Sequence, residues 1–361
     1  MPAPVAPHST SRAFPHPVRY PITRERCEGR DEKEPQFTPS CRILVQTPDT
    51  MHGWVAVTHS DWFDFLAQQR LREEVNFWSP SDYYAFHGAP GAPFFFKLKA
   101  PRNAIGGFGY IASFSRLPDW LAWDCFGEGN GAATFEEFKR RLDSLRERNS
   151  LRGAGGLTQI GCIVLVQAVF FPPDMWISQP ADWAARNLRY TRYDLTAGEG
   201  ARIWLECQER GAARIAVPHG AIVVREERAR YGEPVLMRPR LGQGSFRVAV
   251  TDAYERECAV TREHSLPVLE AAHIVPYAQG GVHEVSNGLL LRSDLHRLFD
   301  LGYVTVTPEL RVEVSGRLRG EFENGRTYYP MQGTQVKVPA NPRLHPDANL
   351  LRWHNETAFR A

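Results

Sequence analysis

The strongest constraint on this chain lies in its last third, where His273, Asn287 and His296 are set among turn-forming residues and short apolar runs. Pro267 to Val275 reads as a strand with His273 near its end, and Pro276, Gly280 and Gly281 force a sharp loop after it. Asn287 opens a second strand, Gly288 to Leu291. Ser293 is placed to N-cap a short helix from Asp294 to Leu301, which Gly302 ends. His296 falls in the first turn of that helix, and another helix, from Ser245 through Tyr254, precedes the hairpin. Three polar side chains thus arrive from a strand, a loop–strand junction and a helix, the ββα arrangement that a metal site requires. An imidazole titrating near neutral pH can take the proton of a water as it attacks phosphorus. Nitrogen and oxygen ligands on short rigid elements can hold the divalent cation that stabilises the developing charge. An asparagine there can bond the loop backbone or coordinate the metal through its carbonyl oxygen.

The residues themselves are similar to a known family. Cys258-Ala259-Val260-Thr261, Leu269-Glu270-Ala271-Ala272-His273-Ile274-Val275-Pro276, Gly280-Gly281, Asn287-Gly288-Leu289-Leu290-Leu291-Arg292 and Asp294-Leu295-His296-Arg297-Leu298-Phe299-Asp300 resemble the HNH endonucleases, in the branch without a zinc knuckle. The resemblance spans roughly Tyr231 to Ala361 and extends to Leu350-Leu351-Arg352-Trp353-His354 and Phe359. It implies a ββα-metal (HNH, His-Me finger) domain over 245–361 in a metal-dependent DNA endonuclease of restriction or defence type. The catalytic set it implies is His273 as general base, His296 as metal-binding histidine, and Asn287, structural in some members and a ligand in others. The cofactor would be one divalent metal ion per site: Mg, Mn or another transition metal. The partner would be double-stranded DNA. One position departs from the pattern: many members carry Asp or His immediately before the base, and here Ala272 stands there. Glu270, on the same strand face, is the first candidate for the missing ligand and Asp294 the second. Asp300 is expected to brace the helix end. His264, His283, His345 and His354 are expected to pack, to support or to lie at the surface, and Cys258 to be a small buried residue.

The remaining sequence sets the context. At 361 residues the chain has room for two domains, and 43% apolar with 23% charged residues is globular composition. A net charge of +2 excludes binding by bulk charge but leaves room for a local basic surface. The six cysteines include no CxxC pair, which excludes a zinc knuckle, and no stretch approaches the ~18 apolar residues of a membrane span. A soluble, cytoplasmic bacterial-type protein with no membrane partner is expected.

The fold class expected is α+β. Residues 1–38 read as a disordered or loosely packed arm, 39–209 as a mixed α/β DNA-recognition domain, and 210–244 as a linker. Within the second segment, strands are predicted over 42–47, 53–58, 93–98, 105–114, 160–171 and 201–207. Helices are predicted over 61–72, with Ser60 as N-cap, and from the Thr134-x-x-Glu137 capping box to Arg148. The linker crowds Arg225, Arg228, Arg230, Arg238 and Arg240, either a solvated connector or a DNA-backbone patch.

Asn76-Phe77-Trp78-Ser79-Pro80-Ser81, Phe94-Phe95-Phe96-Lys97-Leu98 and Ile105-Gly106-Gly107-Phe108-Gly109 look like predicted bacterial restriction endonucleases. More loosely, they resemble the β-barrel reader domains of the PUA, ASCH and EVE kind. The second resemblance implies a PUA-like barrel that reads a modified base. Trp78, Trp120 and Trp123 would stack on an extruded base and Asn76 or Ser79 would read its edge. Lys97, Arg240 and Arg292 complete the nucleic-acid-binding candidates. The plain alternative is that these aromatics build an ordinary core. One site cuts one strand, so a homodimer is expected. Two rival readings stay open: a DNA-binding protein whose HNH domain is inactive, and an HNH nuclease toxin.

Overall fold

The computed structural model describes residues 51–69, 74–81, 86–148, 159–184, 189–215 and 242–361. The predicted arm, the strand at 42–47 and Arg225 to Arg240 of the linker lie outside the described residues.

The first half is organised by a mixed sheet. Its elements, in chain order, are β1 (His52–Thr58), α1 (Ser60–Gln68), β2 (Glu74–Ser79), β3 (Pro93–Leu98), β4 (Ala104–Pro118), α2 (Asp119–Phe126), α3 (Phe135–Arg148), β5 (Gln159–Phe170), β6 (Ile177–Ser178), β7 (Tyr190–Asp194) and α4 (Gly198–Ile215). The strands run in the order β2-β5-β4-β3-β1-β7, with β6 paired to β4, and among the described residues only β1 and β3 pair in parallel. Continuous apolar runs form the centre: Ile160 to Val166 of β5 and the whole of β3 are buried, as expected of strands covered on both faces.

Among the described residues the expected barrel does not close. The sheet ends at β2 and β7, which do not pair. The turn Gly127–Asn130 packs against β2 instead, with Asn130 bonded to the Asn76 side chain. The predicted strand at 201–207 is also corrected, because α4 covers it. Gly200, Ile203, Cys207 and Gly211 are buried at helical spacing, and Arg202 pairs with Glu199 and Glu206 one turn away on either side. α4 also carries the expected linker start into a helix. The capping box behaves as predicted: Thr134 Oγ1 accepts the Glu137 N–H at 3.2 Å.

The second half contains α5 (Gln243–Ala253), β8 (Leu269–His273), β9 (Gly288–Arg292), α6 (Ser293–Asp300), the β10 (Val304–Val306) and β11 (Val312–Val314) hairpin, α7 (Arg317–Phe322) and α8 (Ala348–Thr357). β8 and β9 are antiparallel, with His273 opposite Gly288, and α6 follows directly. Phe246, Tyr254, Leu289, Leu295, Phe299 and Leu351 share one core. The fold is thus α+β, with the ββα unit C-terminal to the mixed sheet.

The two halves are packed, and their described residues form one compact unit. Val248 of α5 joins the core of the first half. Ser115 of β4 donates to the Asp252 carboxylate, whose pKa burial raises. Glu74 of β2 accepts the backbone N–H groups of Gly242, Gly244 and Ser245, capping α5 from another element. Among the described residues, no helix is long and apolar enough to cross a membrane.

Candidate active site

His273 ends β8, and its ring lies flat on Phe246 of α5 with centroids 3.8 Å apart and planes 14° apart. That contact needs a small residue on the opposing strand. A Cβ at Gly288 would come within 2.5 Å of Val250 and 3.0 Å of Phe246. His273 Nε2 lies 3.0 Å from His283 Nδ1, so one ring donates to the other. His283 in turn stacks on Tyr277, centroids 4.6 Å apart. Burial, then the nearby His283 and His296, push the His273 pKa from 6.5 down to about 4. The imidazole is therefore neutral at physiological pH, and a weaker base than one titrating near neutrality.

Asn287 is wholly buried. Its Oδ1 accepts the Val275 N–H at 2.9 Å, and its amide donates to the carbonyls of Val275 and Val282, both at 3.0 Å. These bonds tie the loop back onto the hairpin directly after His273.

His296 of α6 points toward β8. Its Nδ1 lies 2.6 Å from Glu270 Oε2, and its Nε2 lies 3.4 Å from Asp300 Oδ2. Asp294 turns elsewhere: both its oxygens pair with Arg292, at 2.6 and 2.8 Å, and Tyr328 donates to it. The Arg292 bonds hold its carboxyl below the ordinary aspartate value. Ala272 is fully buried. Among the described residues, no three His, Cys, Asp or Glu side chains are grouped so as to hold a metal ion. His296 and Glu270, in contact and both partly exposed, are the residues that would hold a divalent cation, and such a cation would supply charge stabilisation at the phosphoryl group.

A cavity of about 230 Å³ opens beside this cluster. His273 and Asp300 lie on its wall, with Trp353, Thr357 and Arg360 from α8 and the segment after it.

The other candidates are dispersed. Asn76 is 0% exposed, so it has no edge to offer a base; it donates to Asn130 Oδ1 and to Cys162. Trp78 donates from Nε1 to the Asn130 carbonyl at 2.8 Å, while Trp120 and Trp123 pack on the same core, Trp123 stacked on Phe138. Ser79 donates to the Ser81 carbonyl. Lys97 is buried in a different place, 3.3 Å from Asn103 Oδ1 and over Trp183, and burial lowers its pKa. Arg292 is spent on Asp294. Arg240 lies outside the described residues.

Sequence reasoning misses several residues of the site. Phe246, Tyr277, Glu74 and Arg360 carry no signature of their own. His283 falls among the packing, supporting or surface histidines. A usable signal for it is its place just after Gly280-Gly281, where the loop must return toward β8.

A β-hairpin followed by a helix, with a neutral histidine at the end of its first strand and a second histidine on the helix, defines the ββα class of nuclease site. Sequence comparison agrees: residues 258–307 match the model of the HNH endonuclease family. The chain thus carries an HNH endonuclease domain. No curated protein matches the chain. Among solved structures, ASCH from Zymomonas mobilis is 10% identical over 42% of this chain and 93% of its own, with a TM-score of 0.29. A serine-to-alanine variant of that ASCH protein gives 9% identity, 42% and 94% coverage and a TM-score of 0.28. A structure described as the modification-dependent TagI restriction endonuclease is 15% identical over 84% of this chain and 80% of that chain, with a TM-score of 0.25.

Proposed function

We propose that this protein is a metal-dependent endonuclease of restriction type that hydrolyses phosphodiesters in double-stranded DNA. The observation that carries the proposal is the neutral, half-buried His273 beside the His296–Glu270 pair. In this reading His273 takes the proton of the attacking water. Phe246 and His283 hold its ring, one by stacking and the other by the 3.0 Å contact. Asn287 fixes the loop rather than binding metal, because three backbone groups already engage its amide. His296 and Glu270 would hold the divalent cation, with Glu270 in place of the ligand absent at Ala272. Asp294 is the weaker choice because Arg292 occupies both its oxygens. A cation bound there would stabilise charge on the phosphoryl and leaving oxygens. The sheet-bearing half would select the DNA, including DNA with a modified base, and a dimer would allow both strands to be cut.

The test is cleavage of modified and unmodified duplexes with Mg, Mn, Ni, Co and Zn. Metal-dependent cutting that His273→Ala abolishes is expected. The buried Ala272 favours one rival, a DNA-binding protein with an inactive nuclease domain. A protein that binds metal in calorimetry yet cuts none of these DNAs would select that rival.

A further inference from the structure

The matched family segment ends at residue 307, yet part of the cavity beside His273 is built by residues well beyond it. α8 and the segment after it supply Trp353, Thr357 and Arg360 to a wall shared with His273 and Asp300. Their placement is fixed by backbone contacts. Gly302, at φ +75°, ends α6, and a Cβ there would come within 2.0 Å of the Ala358 carbonyl oxygen. Arg360 N–H donates to the Gly302 carbonyl at 2.8 Å, and Ser315 donates to the Arg360 carbonyl. The C-terminal segment is therefore clamped onto the end of the helix that carries His296.

Two groups on this wall have unspent binding capacity. Trp353 is half-buried and, among the described residues, makes no ring contact and no side-chain hydrogen bond. Arg360 is exposed; its guanidinium lies 5.1 Å from the Tyr303 ring and donates to the Tyr303 hydroxyl at 3.2 Å. Both contacts are with the neutral Tyr303, whose hydroxyl donates to Glu321, and among the described residues Arg360 itself forms no ion pair with a carboxylate. A flat indole and a guanidinium beside a general base match the two parts of a nucleotide: a π-face and a phosphate. The cavity, about 230 Å³, is smaller than the roughly 300–1,000 Å³ of sites that engulf a drug-sized molecule. It suits one nucleotide unit rather than a duplex.

We propose that α8 and the C-terminal segment form a nucleotide subsite, in which Trp353 stacks on the base next to the scissile phosphate and Arg360 pairs with the neighbouring phosphate. The subsite rests on the nuclease reading above. It makes the C-terminal segment part of the substrate grip, independent of whatever the sheet-bearing half selects.

The test uses the full chain carrying His273→Ala, so that DNA stays uncut, with duplexes containing iododeoxyuridine at successive positions, with and without modified cytosine. Photo-crosslinking should place an adduct on Trp353. Arg360→Gln should reduce the magnitude of the logarithmic salt slope of binding by about 1, and Arg360→Lys should restore it. With His273 intact, Trp353→Ala should raise KM about tenfold with little change in kcat, and Trp353→Phe should recover most of that loss. Adducts confined to other peptides, no adduct on any duplex, or an unchanged KM in Trp353→Ala would overturn the subsite. Should Trp353→Ala fold poorly, the Phe variant and the exposed Arg360 still decide the matter. Failure of the nuclease reading looks different: the unaltered protein cuts no DNA with any metal, while the Trp353 adduct still forms.

Discussion

The end of β8 and the middle of α8 each present a histidine lying flat on a phenylalanine, and the two stacks are nearly superposable in geometry. His273 on Phe246 and His354 on Phe299 both have centroids 3.8 Å apart, with interplanar angles of 14° and 12°. Burial drives both imidazoles down to a pKa of about 4. They differ in what their nitrogens meet. His354 is 2% exposed and closed on both sides: Nδ1 lies 2.7 Å from Thr305 Oγ1, and Nε2 lies 3.2 Å from the Phe299 carbonyl. The carbonyl can only accept, so Nε2 carries the proton and Nδ1 accepts from the threonine. His273 meets another histidine at Nε2, and both His273 and His354 line the same cavity. Stacking and burial set the charge state in both places. What the ring nitrogens meet, not the depressed pKa, is what differs between the two sites.

The comparison can be broken most directly at the rate. His273→Ala should lower cleavage by about two to four orders of magnitude, the range of a lost general base, while leaving the thermal unfolding midpoint nearly in place. A variant that unfolds instead would make the two histidines alike. His354→Ala should do the reverse, costing about 2–4 kcal/mol through a cavity and two orphaned polar groups. Chemical denaturation would read this as a lower midpoint with an unchanged slope.

A pH series sharpens the same contrast. The folded pKa of His354 lies below its unfolded value near 6.5. The unfolded state therefore binds more protons between those values. The stability due to a neutral His354 is fully present above about pH 6.5 and is lost as pH falls toward 4. The full effect is about 3 kcal/mol. Replacing His354 with Gln should flatten the stability curve between pH 4 and 6.5; an unchanged curve would show that this ring is not what titrates.

The smallest effect is expected at Glu74, whose carboxylate caps α5 and thereby steadies Phe246 beneath His273. Glu74→Gln should cost about 1 kcal/mol and lower kcat only a few-fold. A full loss of cleavage with intact folding would mean that the stack on His273 depends on the sheet far more tightly than the one on His354 depends on its surroundings.

Much of the ββα unit was legible because it is local. The Pro276–Gly281 turn, the apolar run from Gly288 and the short helix after it place His273, Asn287 and His296 through neighbouring hydrogen bonds. Alternation along β8 nominates Glu270 as a ligand candidate, and what the fold adds is its contact with His296 at 2.6 Å. Legibility failed where one run suits two structures. Ile203-Trp204-Leu205 reads as a strand, yet the pairing of Arg202 with Glu199 and Glu206 and the burial of Ile203 and Cys207 belong to a helix. Trp78, Trp120 and Trp123 were left between two readings, because composition cannot say whether an aromatic lies under a helix or faces solvent, and all three are half-buried against one core. Asn76 was likewise a fair edge-reader on paper and is a core residue in space.

The sequence by itself determined the hairpin, the helix behind it and the histidine pair they carry, since these follow from turn chemistry and short-range periodicity. Tertiary structure alone decided which ring lies under His273, which carboxylate caps α5, and that Trp353 and Arg360 return to the same cavity. Those contacts join residues far apart in the chain. Their pairing follows from how whole elements pack, which no local pattern encodes.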